Sequence, residues 1–494
     1  MKKINITKLF VILGAVCFLG MYSCSKDFLD EAPTNSGDAA TAVKTKADAQ
    51  VMITGIMRRM TDLSYYGRNF IVYAEAKGGE VTTRTLGRGL SSYYDFNHSA
   101  ATSPEEGFWN DMYNRILQAN NLIKNIKDLQ ASGTVEDFND ILGQALTARA
   151  IMYFDLVRLY GKPYTFAKTT YGVPNELEPL DASAHPLRAT VEENYNQIVK
   201  DLTDAAPLLS KTKKNGFINY YANKAMQARV ALSMGNYPGA LSAAEEVINS
   251  GAYSPYSNSE WVNSWTKQFG SESIFELAMV PNENDLGSSS LSIYYRKQDY
   301  KSSSARGQYF GSDYFLARLG QDPTDVRWGI MGDDREFVTE PIHMGASYKY
   351  SGNINIDGDG KATGTAVNIK VIRLSEMYLI AAEAALPVDK VKAANYLNEI
   401  RKRSPGLAPA TSTTITIDMI LDEKSKELFT EGQRYFDMLR LGKSITFNDD
   451  FGGVPITART KTIDVTTFDK IVLPIPQAEI NANPGLKAQQ NPGY

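Results

Sequence analysis

Residues 228–244 read Ala228-Arg229-Val230-Ala231-Leu232-Ser233-Met234-Gly235-Asn236-Tyr237-Pro238-Gly239-Ala240-Leu241-Ser242-Ala243-Ala244, and their spacing decides the fold class. Ala228 and Leu232 stand four apart, as neighbours on one helix face do. Gly235 permits a tight turn, because glycine enters left-handed backbone without steric cost. Beyond it, Ala240 and Ala244 restart the helical spacing with side chains small enough for two helices to approach closely, and Tyr237 fills the groove beside them. The stretch predicts a helical hairpin.

The register of Ala228, Leu232, Gly235, Tyr237, Ala240 and Ala244 matches a tetratricopeptide helix pair. A second block follows the same plan: Ala381, Ala382, Ala384 and Ala385, a short turn marked by Pro387, then Ala393, Ala394 and Leu397. Generic helical hairpins are the alternative reading of both. Working outward, apolar residues recur at helical spacing over 41–63, 104–130, 135–160, 190–209, 219–234, 238–249, 370–386, 389–402 and 417–441. The expected fold is therefore mainly α, a tetratricopeptide-like scaffold of stacked hairpins over about 41–63, 104–251 and 366–444. Between these blocks run segments at about 64–103, 252–365 and 445–494, rich in Gly, Ser, Asn, Asp and Tyr. They are too long for ordinary connectors and predict a loop-rich face where binding resides.

At the N-terminus, Lys2, Lys3 and Lys8 precede an apolar run from Leu9 to Met21 that ends near Cys24. This predicts a signal peptide over 1–23, since a membrane span needs roughly 20 apolar residues. Cys17 leaves with that peptide, so Cys24 is the remaining thiol and no internal disulfide is expected. Its position predicts lipidation, with acyl chains contributing ~0.8 kcal/mol per buried methylene. Residues 24–40 have the composition of a tether, and 41–494 are expected to form a single domain. Loss of three lysines takes the formal net charge from −4 to about −7, which argues against a nucleic-acid partner.

Several motifs resemble the SusD/RagB family of outer-membrane nutrient-binding lipoproteins. They are Lys26-Asp27-Phe28-Leu29-Asp30, Ala148-Arg149-Ala150 leading to Tyr160-Gly161-Lys162-Pro163, Arg188 through Glu193, and Ile372-Arg373-Leu374-Ser375-Glu376. The most specific are Glu427-Leu428-Phe429-Thr430-Glu431-Gly432-Gln433-Arg434-Tyr435-Phe436-Asp437 and the ending Pro474-Ile475-Pro476-Gln477 to Asn491-Pro492-Gly493-Tyr494. The resemblance implies a helical-hairpin fold with a ligand-binding loop face. It also implies a SusC-like TonB-dependent barrel as partner and an outer-membrane location facing the exterior. Which sugar is bound does not carry over. The motif residues themselves read as scaffold: Arg434 and Asp437 are spaced to pair on one helix face while Phe436 and Leu439 bury the other.

Catalytic signatures are missing. His98, His185 and His343 stand alone, there is no His-Glu-x-x-His helix or Cys-x-x-Cys pair, and neither a nucleophile elbow nor a phosphate-cradling loop occurs. No enzyme activity is expected, although 56 acidic residues leave a glycosidase carboxylate pair as a minor alternative. No cofactor is expected either. Asn353, Asn355, Asp357 and Gly358 mimic a calcium loop, but Gly364 stands where a bidentate acid belongs, so a polar turn is preferred over calcium.

The positive chemistry is that of sugar recognition. Pyranose C–H faces pack on aromatic rings, and planar polar groups bind paired hydroxyls. Two clusters combine these groups: Arg68, Arg84 and Arg88 near Tyr93, Tyr94 and Asn97, and Tyr294, Tyr295 and Arg296 near Gln298 and Tyr309. Trp328 is a further candidate, whereas Trp109, Trp261 and Trp265 have helical apolar neighbours and are expected in the core. The expected ligand is an oligosaccharide, with peptides as the alternative nutrient.

Overall fold

A computed structural model describes residues 42–87, 89–101, 106–181, 183–297, 307–353, 356–361, 363–451 and 455–494. Cys24, Arg88, Gln298 and Asn355 lie outside the described residues, as do the side chains of Asn353 and Asp357. The longer helices are α1 (Lys46–Arg59), α2 (Asn69–Lys77), α3 (Glu106–Ala131), α4 (Asn139–Tyr160), α5 (Val191–Ala205), α6 (Tyr220–Ser233) and α7 (Tyr237–Ile248). They continue with α8 (Leu374–Ala385), α9 (Lys390–Arg401), α10 (Ile417–Glu427) and α11 (Arg434–Arg440). Short two-stranded pairings occupy the segments between, the longest joining Ser273–Leu277 to Ile369–Arg373 antiparallel.

Sequence sets the helix starts. Thr45 and Thr190 each accept from the backbone N–H three residues on, and Asp48 and Glu193 return the bond to the cap, closing capping boxes on α1 and α5. Asn219 and Asn236 cap α6 and α7, and Gly235 turns between these two helices at φ +72°. Ala240 and Ala244 are fully buried in that hairpin, alongside Ala225 and Ala228, as their spacing predicts. α7 packs on α8 and α8 on α9, so successive hairpins stack. The α8–α9 hairpin closes a separate small core through Ala382, Ala385, Ala393, Leu397 and Ile400.

The continuous helix expected over 417–441 is broken. Thr430 and Gly432 adopt φ +63° and +70°, and the Glu75 carboxylate of α2 accepts the N–H groups of both, at 2.9 and 3.0 Å. The Gly432 turn lies so close to α2 that a Cβ there would sit 3.1 Å from the Ile71 backbone. Arg434 consequently pairs with Glu80, while Asp437 pairs with Arg440 and Lys424, which corrects the Arg434–Asp437 pairing expected from spacing alone.

Around this joint lies a lattice of buried charge. Arg373 meets Glu272, Glu427 and Glu431 at 2.7–3.2 Å, and Lys349 meets Glu431 at 2.6 Å. Arg327 binds Asp325 and Glu423, both at 2.6 Å. Burial opposes charge on Glu427, yet Arg373, Arg403, Arg327 and Lys349 outweigh it and hold the carboxyl down to about 2. The C-terminal segment is docked: Asn491 donates to the Tyr160 and Leu473 carbonyls, and the Tyr494 hydroxyl donates to Val472 O.

Candidate functional site

The long loops between helices bury their own aromatic side chains, and this decides most of the sequence candidates. Tyr93, Tyr94, Tyr294, Tyr295 and Tyr309 are all 4% exposed or less. Tyr93 packs against Tyr73 and Phe108. The Tyr94 hydroxyl donates to Asn448 O at 2.8 Å, and the Tyr309 hydroxyl to Leu90 O at 2.6 Å. Arg68 is buried too, donating to the Tyr294 hydroxyl at 2.9 Å with its guanidinium over the same ring, and Arg296 lies inside with them. The two predicted clusters therefore do meet, through Arg68 and Tyr294, but within the protein. The expectation that these rings form an exposed stacking platform is corrected: segments this rich in Tyr need a core of their own, and the hydroxyls of Tyr94, Tyr294 and Tyr309 find carbonyl or side-chain partners there.

Trp328 stays half-buried on a turn at Val326–Ile330, its Nε1 donating to Asp322 O at 3.3 Å. The neighbouring Arg327 ties that turn to Ser404 and Glu423, so Trp328 belongs to the scaffold side. Asn97 is exposed, just beyond Phe96, whose φ of +59° ends a one-turn helix at Ser91–Asp95. In the calcium-like stretch, the backbones of Gly352–Asn353 and Ile356–Asp357 pair antiparallel. Nearby, the Asp359 carboxylate is taken by Lys361 at 2.7 Å and by the Asn368 N–H at 2.9 Å. Among the described residues no group of three or more His, Cys, Asp or Glu could hold a metal ion.

Arg84 is the sequence candidate that remains at a partly open site. It follows the strand Val81–Thr82, which pairs antiparallel with Phe310–Gly311 and so brings two distant segments together. The guanidinium lies 5.6 Å from the Phe310 ring centre and 4.9 Å from that of Phe451, distances at which aromatic faces attract a cation. It reaches Glu340 at 3.4 Å and Asp334 at 3.5 Å. These contacts are long for charged hydrogen bonds. Its Nε finds no hydrogen-bond partner among the described residues. Beside it, His343 Nδ1 is 2.8 Å from Asp334 and Nε2 is 3.3 Å from Asp313. Burial works against protonating His343, but the Asp334 hydrogen bond and the charges of Asp334 and Asp313 outweigh it and raise its pKa above the usual 6.5. The same loop projects Phe337, Val338 and Ile342, exposed by 62%, 88% and 70%.

Sequence reasoning named Arg84 and missed Asp334, Glu340, His343, Phe337 and Phe451. The available signal was Phe337-Val338 and Ile342 set between Asp333-Asp334-Arg335 and His343, an apolar run inside a charged loop. A family model named for the SusD family matches residues 344–494, and one described as "Starch-binding associating with outer membrane" matches residues 27–232. A solved SusD superfamily protein from Bacteroides thetaiotaomicron shares 33% identity at a TM-score of 0.81, covering 91% of this chain and 100% of its own. This chain belongs to the SusD superfamily. A SusD-like protein of Formosa agariphila is 23% identical over the full length of both chains. The starch-binding protein SusD of Bacteroides thetaiotaomicron is 31% identical over 36% of this chain and 32% of its own. In this SusD-like chain the Arg84 group draws on residues from both the N-terminal and C-terminal family matches, with Phe310, Asp313, Asp334, Glu340 and His343 supplied by the stretch between them or at its edge.

Proposed function

We propose that this SusD-like chain is a surface lipoprotein that captures an oligosaccharide and catalyses nothing. In this reading Cys24 carries the lipid anchor in the outer membrane, and the loop-rich face looks outward. Ligand passes to a SusC-like TonB-dependent barrel. The anchor keeps captured sugar near the transporter, so a weak site still raises the local concentration.

The observation that carries the reading is the incompletely used guanidinium of Arg84. A partly exposed planar donor whose two carboxylate contacts are long, at 3.4 and 3.5 Å, can turn its terminal N–H groups to a pair of sugar hydroxyls by small adjustments. Glu340, its side chain 32% exposed, supplies an acceptor, and Phe337 offers an exposed ring to the C–H face of a pyranose. Asn97 is an exposed amide from the same set of loops.

Calorimetry of the purified chain against α-glucans, β-glucans and a peptide pool tests the reading. We expect one oligosaccharide class to bind, and Arg84→Ala to weaken it. Binding of peptides alone would assign a non-glycan nutrient, and new reducing ends after prolonged incubation would make the protein a glycosidase. Failure of any barrel to co-purify from outer membranes would remove the delivery step.

A further inference from the structure

A second recess, sharing no lining residue with the Arg84 group, has a volume of about 470 Å³. Small-molecule pockets span ~300–1,000 Å³. One wall is a face of α3, where Asn110, Tyr113, Asn114 and Leu117 follow one another at helical spacing. The opposite walls are the 174–186 segment, carrying Glu176, and the C-terminal turn, carrying Glu479 and Asn483.

These walls are fixed in place. The Glu176 backbone is clamped by Tyr153, whose hydroxyl accepts its N–H and contacts its carbonyl at 2.6 Å, and by Asn120 at 2.9 Å. Tyr113 holds the Pro174 carbonyl at 2.9 Å, and Asn483 holds that of Pro186 at 2.8 Å. The Glu176 carboxylate is different: it makes no hydrogen bond or ion pair with any described residue, although its backbone is held on both sides. No Lys or Arg lines the recess. The nearby Arg188 guanidinium is turned inward onto the carbonyls of Tyr160, Gly172 and Gln489. Burial and the neighbouring Glu479 charge push Glu176 up to about 7, so a cation placed there would relieve both. Leu117 and Leu180, 39% and 45% exposed, give the rim apolar surface. The amides of Asn110 and Asn114 add hydroxyl-binding groups.

We propose that this recess is a second ligand site, selective for a sugar bearing a free amine. The ammonium sits at Glu176, the ring's C–H face rests on Leu117 and Tyr113, and hydroxyls reach the α3 amides. The site is independent of the capture reading, because no residue is shared with the Arg84 group.

Calorimetry of the purified chain at about pH 7, where the glucosamine amine is largely protonated and an arriving cation favours the ionised form of Glu176, tests it with glucosamine, N-acetylglucosamine, glucose and ethylamine. Glucosamine is expected to bind at least about tenfold more tightly than the other three, the size of one charge-assisted hydrogen bond. Glu176→Gln should abolish that preference with the melting temperature kept, and Arg84→Ala should leave it intact. Should the Gln variant misfold, Leu117→Lys places a competing ammonium at the exposed rim and should block glucosamine equally. Equal affinity for the three sugars, ethylamine matching glucosamine, no glucosamine binding, or a preference untouched by these variants would each overturn the proposal.

Discussion

The joint around Glu431 and the group around Arg84 are built from the same residue types and behave oppositely. At the joint, Arg373, Lys349 and Glu431 are at most 7% exposed and meet at 2.6–3.2 Å, with backbone carbonyls filling the remaining positions. At the loop site, Arg84 is 19% exposed and its partners stand 3.4–3.5 Å away. Charges sealed inside must be paired completely, because an unpaired one is costly. Charges at a half-open mouth can stay loosely paired, since water or ligand completes them. The contrast separates a structural use of arginine from a recognition use, and substitutions can break or sharpen it.

The largest effect is expected at the joint. Glu431→Ala leaves Arg373 and Lys349 short of a partner in the interior and should destabilise the protein by ~3–5 kcal/mol, read from the denaturant midpoint. Acid should attack the same region. Glu427 is held near 2 against an ordinary 4.5, so its contribution is complete above about 4.5 and is lost as pH falls toward 2, visible as a falling melting temperature. Gly432→Ala forces a side chain into φ +70° and against the Ile71 backbone, and should cost about 2 kcal/mol. At the loop site the order reverses. Arg84→Ala should change stability by less than ~1 kcal/mol while weakening oligosaccharide binding roughly tenfold; equal losses in both would erase the distinction.

The smallest effect concerns His343. Its folded pKa lies above 6.5, so the stability it contributes is present below that value and lost as pH rises through the folded one. Asp334→Asn removes the cause and should flatten that part of the stability profile, with the imidazole titration followed by NMR.

Much of the helical frame could be read in the sequence because its helices are amphipathic or carry caps, as Thr45, Thr190 and Asn219 do. α2 was invisible for the opposite reason: all nine of its residues are buried, so no polar face marks a period. The break between α10 and α11 was hidden because its cause, Glu75, lies far away in the chain. At the loop site Arg84 was legible as a planar donor near aromatics, but its acidic partners come from about 250 residues later, a proximity that no local pattern encodes. The tyrosines were misjudged because Gly- and Ser-rich surroundings look like surface, whereas long loops fold over rings of their own.

Glu75 binds the backbone of Thr430 and Gly432 at sequence separations of 355 and 357 residues, which bears on the order of folding. Local preference over 417–441 favours one unbroken helix, and the bend that brings Arg434 to Glu80 is imposed only when the two distant segments meet. Long-range closure of this kind is slow relative to helix growth. The C-terminal helices should thus form early in a straightened arrangement and acquire their final angle as a late event.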